Sequence, residues 1–259
     1  MTTTISSITR QGAYEPFELQ VSRGQIQGHR NVTVFGFNPD VDTAQVTVWP
    51  LPSLITFPVA ALQMTVSSSD ANDTSAGTGA RKIVVQGLDA NYNEVSETVT
   101  LNGQTAVTMT ASLLRVNYAY VLTAGSGNGA AGDIYIGTGV VTAGVPATTY
   151  DIIKFDYNTT ITGSFTIPAG YTGYLSQGLF SSGQSGGSNQ VQGRLLTRGT
   201  DNIRRTAAVT SINNGVADYV FEYPLAIQEK TTVEATAIGS SSNNAVSSMF
   251  ILLLVKEGP

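Results

Sequence analysis

The feature that most constrains this chain is a period of two. Short apolar alternations recur between glycines, prolines and asparagines, and no long stretch carries the three-and-four spacing of a helix. Ala44–Trp49, AQVTVW, sets Val46 and Val48 against Gln45, Thr47 and Trp49, and Asn31–Phe37, NVTVFGF, repeats the pattern. A period of two puts alternate side chains on one face of an extended backbone, so the chain reads as all-β. The side chains agree: 33 Thr and 23 Ser stand where charge is scarce, at 12% of residues, and 27 Gly supply turns. Thr suits a pleated surface, and glycine suits its tight connections.

Three segments are expected. Residues 1–20 are polar, with little periodicity, and read as an extended arm. Residues 21–145 read as an N-terminal β domain. Residues 146–259 read as a second β unit, an antiparallel sandwich of jelly-roll type. Its eight strands run from DIIKFDYN to VSSMFILLLV at spacings of roughly 8–15 residues. Within the first unit, KIVVQGLD and EVSETVTLNG predict a hairpin around DANYN. Asn102-Gly103 marks a tight turn, with a strand to follow over 105–110. Ala111–Leu122, ASLLRVNYAYVL, fits a strand from 114 onward after a short helical turn. WPLPSLITFP, Trp49 to Pro58, holds three prolines in ten residues. It reads as a rigid apolar connector whose Trp49, Leu51, Leu54, Ile55 and Phe57 cap a core or face a partner. Met249–Val255, MFILLLV, reads as a buried, central strand. At seven residues it is far short of the roughly twenty that a membrane-spanning helix needs.

The chemistry-bearing residues are few. There is no cysteine, which excludes disulfides and thiolate metal sites. The net charge of −5 speaks against a nucleic-acid surface. The one arginine cluster, Arg194, Arg198, Arg204 and Arg205, is expected to pair with carboxylates or a neighbouring subunit. The opening residues lack the basic and apolar blocks of a secretory leader, so the sequons at Asn31, Asn72 and Asn158 are read as accidents of composition.

GSGNGAAGDIYIG, Gly125–Gly137, contains G-x-G-x-x-G at Gly127, Gly129 and Gly132, with Asp151 nineteen residues beyond. A dinucleotide loop needs a helix after the glycines, to present free N–H groups to a pyrophosphate. Here DIYIG comes next, an alternating β-branched stretch, so a hairpin loop is expected. DANYNE begins like a calcium loop, but Glu94 stands where glycine is needed and Thr100 where the bidentate glutamate is needed. Asp89, Asn91 and Asn93 therefore read as an Asx-rich turn, and Asp70 and Asp73 likewise. His29 is the only histidine and has no partner for nucleophilic or metal chemistry. In DYVFEYP, Tyr219, Phe221 and Tyr223 are expected on one face and Asp218, Val220 and Glu222 on the other, an aromatic face for a core or an interface. No catalytic, cofactor or metal residue is assigned.

Four segments carry a family resemblance: PAGYTGYL (168–175), GRLLTRGTDNIRRTAAV (193–209), YVFEYPLAIQEKTTVEATAIGSSSNNAVSSMFILLLVKEG (219–258) and SSSDANDTSAGTGARKIVVQGLDANYNEVSETVTLNGQTAVT (67–108). They resemble virion structural proteins of tailed bacteriophages, especially those of aquatic hosts. The resemblance implies a non-enzymatic capsid decoration or cement protein, a homotrimer on the capsid surface. Its partners would be the major capsid protein and its own copies, with neither nucleic acid nor membrane. A tail, fibre or baseplate component binding a host glycan is the alternative, and a glycan-cleaving tail enzyme the third. The major shell protein itself is disfavoured, because its fold needs a long helix.

Overall fold

The computed structural model describes residues 15–183 and 190–258, and its ordered elements are almost entirely antiparallel strands. One short helix, α1 (Phe17–Ser22), buries Val21 and precedes the first strand. Strands β1 (His29–Val41) and β2 (Val46–Thr47) come before a long excursion: β3 (Leu62–Ser68), β4 (Ala80–Leu88), β5 (Glu94–Thr100), β6 (Val107–Leu113), β7 (Arg115–Ala124), β8 (Ile134–Thr142) and β9 (Val145–Ile153). The chain then continues through β10 (Ser164–Thr166), β11 (Tyr171–Gly183), β12 (Val191–Arg198), β13 (Arg204–Ile212), β14 (Gly215–Ile227), β15 (Thr232–Gly239) and β16 (Asn244–Lys256).

The outer elements build one sandwich. Its first sheet has the order β1-β16-β11-β14. Its second has β10-β15-β12-β13, with β2 also on β15. β2 pairs with Thr236 and Ala237, and β10 pairs with Thr232–Glu234 farther along the same edge. The two short pieces are thus one interrupted strand. Counted so, the eight strands take the spatial orders 1-8-3-6 and 2-7-4-5, the interleaving of a jelly roll. The apolar run at the C-terminus is central, as expected: β16 lies between β1 and β11. Its Val246, Phe250, Leu252 and Leu254 point inward onto Phe180, Leu195, Val233 and Ala235. Each such buried side chain stabilises the fold by about 1.5–3 kcal/mol.

The excursion is a second, smaller sandwich placed inside the first one's second strand. Its sheets are β6-β3-β8-β9 and β5-β4-β7, closed over Met64, Ile83, Val85, Met109, Ile134 and Ile136. The expected hairpin around DANYN is present, with Leu88 opposite Glu94.

The expected boundaries need correction. A cut at 145/146 would sever β8 from β9, which pair from Ile134↔Ile153 to Thr142↔Val145. Residues 29–47 belong with the C-terminal strands, because β1 and β2 pair with β16 and β15. Local alternation identifies strands, but it carries no record of which distant strand each one meets. Of the expected arm, residues 1–14 lie outside the described residues, and 17–22 are helical rather than extended.

Candidate functional site

The glycine loop joins β7 to β8, which lie in different sheets, so it is a crossover and not the expected hairpin. The loop leads into strand β8, and a strand was expected there. It does gather backbone N–H groups around an anion, and the anion is the protein's own. Asp73, fully buried, accepts from Ala131 N (2.8 Å), Gly132 N (3.0 Å), Ala80 N (2.6 Å) and Ser68 Oγ (2.6 Å). Gly132 is required by packing: a Cβ there would stand 2.6 Å from Ser69 Oγ and 2.8 Å from Asp70 Cβ. The N–H groups that a phosphate would need are therefore spent on Asp73.

Asp151 lies on β9, enclosed in the protein. It accepts from Ile152 N (2.8 Å) and from the Thr162 hydroxyl, tying β9 to the segment that returns to the jelly roll. Burial pushes its carboxyl up to about 7, against the hydrogen bonds from Thr162, Ile152 and Thr160. Asp89 closes an Asx turn at the β4–β5 tip, accepting from Asn91 N (2.8 Å) and Asn93 N (2.9 Å). Asp70 does the same for Asn72 N (2.7 Å). Among the described residues no three His, Cys, Asp or Glu side chains cluster as metal ligands. His29 meets Gln27 O through Nδ1 at 3.0 Å and packs edge-on to Phe17.

The densest ionic cluster was not visible as such in the sequence. Glu234 on β15 is 0% exposed. It accepts from Thr47 Oγ1 (2.6 Å) and Arg204 Nε (3.3 Å), with Arg198 Nη2 at 3.5 Å. Arg198 and Arg115 both lie over the Phe57 ring, at 4.1 and 4.6 Å. Burial lowers Arg198 to about 10, opposed by Glu234, so it stays charged at neutral pH. Arg115 begins β7 of the inserted sandwich and Arg198 ends β12 of the jelly roll. Phe57, from the Pro-rich connector, is thus held between guanidinium groups of both units. The connector's Trp49 and Ile55 are buried, and Trp49 Nε1–H donates to Ser53 O (2.8 Å). Of the other arginines, Arg205 pairs with Asp201 (2.7 Å), while Arg194 bonds Gln192 rather than a carboxylate.

The two long sides of the jelly roll differ. On the β1/β10 side the inserted sandwich closes over most of the edge, leaving a cleft beside Asn31 and Thr33. Asn117 imitates a strand partner, donating Nδ2–H to Thr166 O and accepting Thr166 N–H at Oδ1, each at 2.9 Å. Ala169 N donates to Tyr92 O (2.9 Å), and Arg30 pairs with Glu94. On the other side β13 and β14 end their sheets with no further strand among the described residues. There Val216, Val220 and Tyr223 are 66%, 74% and 83% exposed, with Val209 half exposed beside them. The expected single aromatic face is interrupted. Between Leu225↔Leu175 and Val220↔Gln177, four β14 residues, 221–224, oppose the single Ser176. Phe221 keeps the inward phase of Ala217, and the bulge leaves Tyr223 outside.

One cleft of about 770 Å³ opens where the two units meet, between β1 and the outer face of the β5-β4-β7 sheet. Gln86, Ser96 and Tyr118 form a cross-strand row on one wall, and Asn31, Thr33 and Phe35 stand on the other.

No protein-family model matches the chain, and no curated protein matches it. Solved structures similar to it include one of infectious bursal disease virus, Gx strain, at 11% identity over 89% of this chain and 73% of that one, with a TM-score of 0.26. Another is the VP2 subviral particle of the same virus, at 11% identity over 90% and 73%, with a TM-score of 0.24. A likeness at these scores carries no weight for function.

Proposed function

We propose that this chain is a non-enzymatic structural component of a virus particle, in which the β13–β14 side of the jelly roll joins subunits. The observation that carries the reading is the bare side itself. A thirteen-residue edge strand with exposed Val216, Val220 and Tyr223 offers unpaired backbone groups and apolar surface together. Its stretch 215–220, ahead of the bulge and Pro224, is a template on which another chain can pair. The described carboxylates with unusual environments, Asp73, Asp151 and Glu234, are each engaged in holding the fold. That pattern suits a building block better than a catalyst.

The finer reading, in line with the tailed-phage resemblance, is a capsid decoration or cement protein. It would act as a homotrimer bound to the major capsid protein on the outer surface of the virion. Cryo-electron microscopy of particles carrying the labelled protein tests this. Hundreds of copies on the capsid surface are expected, and particles lacking the protein should release DNA more readily on heating or osmotic shock. A handful of copies on the tail, with intact heat resistance but failed adsorption, would replace decoration by the tail or fibre reading.

A further inference from the structure

The cleft between the units has a property that its volume does not convey: one wall is an open strand edge. Gly36 bridges Thr162, with Phe37 N donating to Ile161 O (3.2 Å) and Gly163 N to Phe35 O (2.9 Å). Odd-numbered residues of β1 therefore turn their N–H and C=O away from β16, toward the inserted sandwich. The returning segment diverges below Phe35. Asn31 and Thr33 are left with backbone groups aimed into the cleft and with no strand partner there among the described residues. Phe35 and Tyr118 add apolar surface, and Arg30 and Glu94 neutralise each other. An open edge along a cleft whose two charged side chains pair with each other is complementary to an extended, uncharged peptide.

We propose that this cleft receives an extended peptide as an added strand on β1, and that its occupant is the N-terminal segment of a second copy of this chain. Fourteen residues precede Glu15, a reach of up to about 45 Å when extended. Their sequence, MTTTISSITRQGAY, is Thr/Ile-rich and carries no charged side chain before Arg10. The segment enters the fold beside this edge, since α1 packs on β1 and Asn31 Nδ2 donates to Ser22 Oγ (3.0 Å). The choice of a second copy rests on the assembly reading above. The peptide cleft itself does not, and particle imaging tests that reading separately.

The test titrates a fluorescent peptide of residues 1–14 with the full-length protein and follows anisotropy. Saturable binding is expected, and a scrambled peptide should not bind. Thr33→Pro removes the N–H aimed into the cleft while sparing the β1–β16 ladder. Ser96→Trp fills the cleft from the opposite wall. Each should weaken binding about ten-fold with the unfolding midpoint unchanged, and if one variant fails to fold, the other decides. Absence of peptide binding, or binding that the folded variants leave untouched, overturns the proposal. So does saturable binding of maltohexaose that Ser96→Trp abolishes, which would assign the cleft to a saccharide.

Discussion

The two long sides of the jelly roll start from the same physical problem and solve it differently. Each presents the outermost strands of two sheets, with unpaired backbone groups and apolar side chains at the rim. On the β1/β10 side the chain covers the rim, everywhere but beside Asn31 and Thr33 where the cleft opens, with an inserted sandwich fixed by Asn117 on Thr166, Tyr92 on Ala169 and the Phe57 stack. On the β13/β14 side it leaves Val216, Val220 and Tyr223 in solvent. One rim is thus closed largely by a sandwich of the chain's own, and the other is bare among the described residues, the contrast on which the proposed subunit contact rests. β13 carries neither lysine nor proline, whereas β14 carries Pro224 within its bulge, so its protected stretch is local and residues 216–220 remain an open edge.

The contrast yields four measurable consequences. The largest loss expected from one substitution concerns the ionic cluster near the closed side. Glu234→Ala leaves the buried Arg198 without its carboxylate, along with the partly exposed Arg204, and should cost about 3 kcal/mol in chemical denaturation. A loss under about 1 kcal/mol, the worth of an ordinary surface pair, would mean the cluster is incidental.

Next is the pH dependence set by Asp151. Its folded pKa, about 7, lies above the ordinary value of 3.8, so the folded state holds a proton that the unfolded chain releases. Its contribution to stability is full below pH 3.8 and is lost as pH rises through about 7, by up to roughly 4 kcal/mol over the whole shift. Asp151→Asn should flatten this part of the stability–pH curve between the two values. A slope identical to that of the wild type would show that the carboxyl is ionised in the fold.

Asn117→Leu comes third. It leaves the Thr166 N–H and C=O unpaired and should cost about 1–3 kcal/mol. The smallest effect on stability sits on the bare side. Val220→Lys combined with Tyr223→Ser should move monomer stability by no more than about 0.5 kcal/mol, yet reduce self-association in sedimentation velocity. Equal association would place the subunit contact elsewhere.

How far the sequence could be read depends on the range of the interaction concerned. Alternation and turn chemistry are local, so the β4–β5 hairpin, the strand after the glycines and the central place of Met249–Val255 were all legible. Sheet membership is not local. Val46–Thr47 and Ser164–Thr166 share one edge of β15 across more than a hundred intervening residues, and no nearby residue records it. The glycine loop shows the same limit. Its spacing raises the question of N–H groups turned toward an anion, but the anion is Asp73, some sixty residues upstream. Asp70 and Asp73 look alike in SDANDTSAG, and only tertiary packing makes one a turn residue and the other a buried organiser. For Arg115 and Glu234 the local signal stops at burial and does not name their partners. A lone arginine in ASLLRVNY and a glutamate amid TVEATA hint at burial only because their neighbours are apolar or β-branched. The bulge at 221–224 broke the expected aromatic face because a register shift is set by the partner strand, not by the strand itself.

The proposed completion of the β13–β14 side by a neighbouring subunit is tested directly by amide hydrogen exchange. Exchange across Val216–Leu225 would be compared between dilute monomer and assembled particle, with Ser164–Thr166 on the closed side as internal reference. Strong protection of Val216–Leu225 on assembly is expected, with no change at Ser164–Thr166. Equal exchange of Val216–Leu225 in both states would show that no neighbour covers this edge.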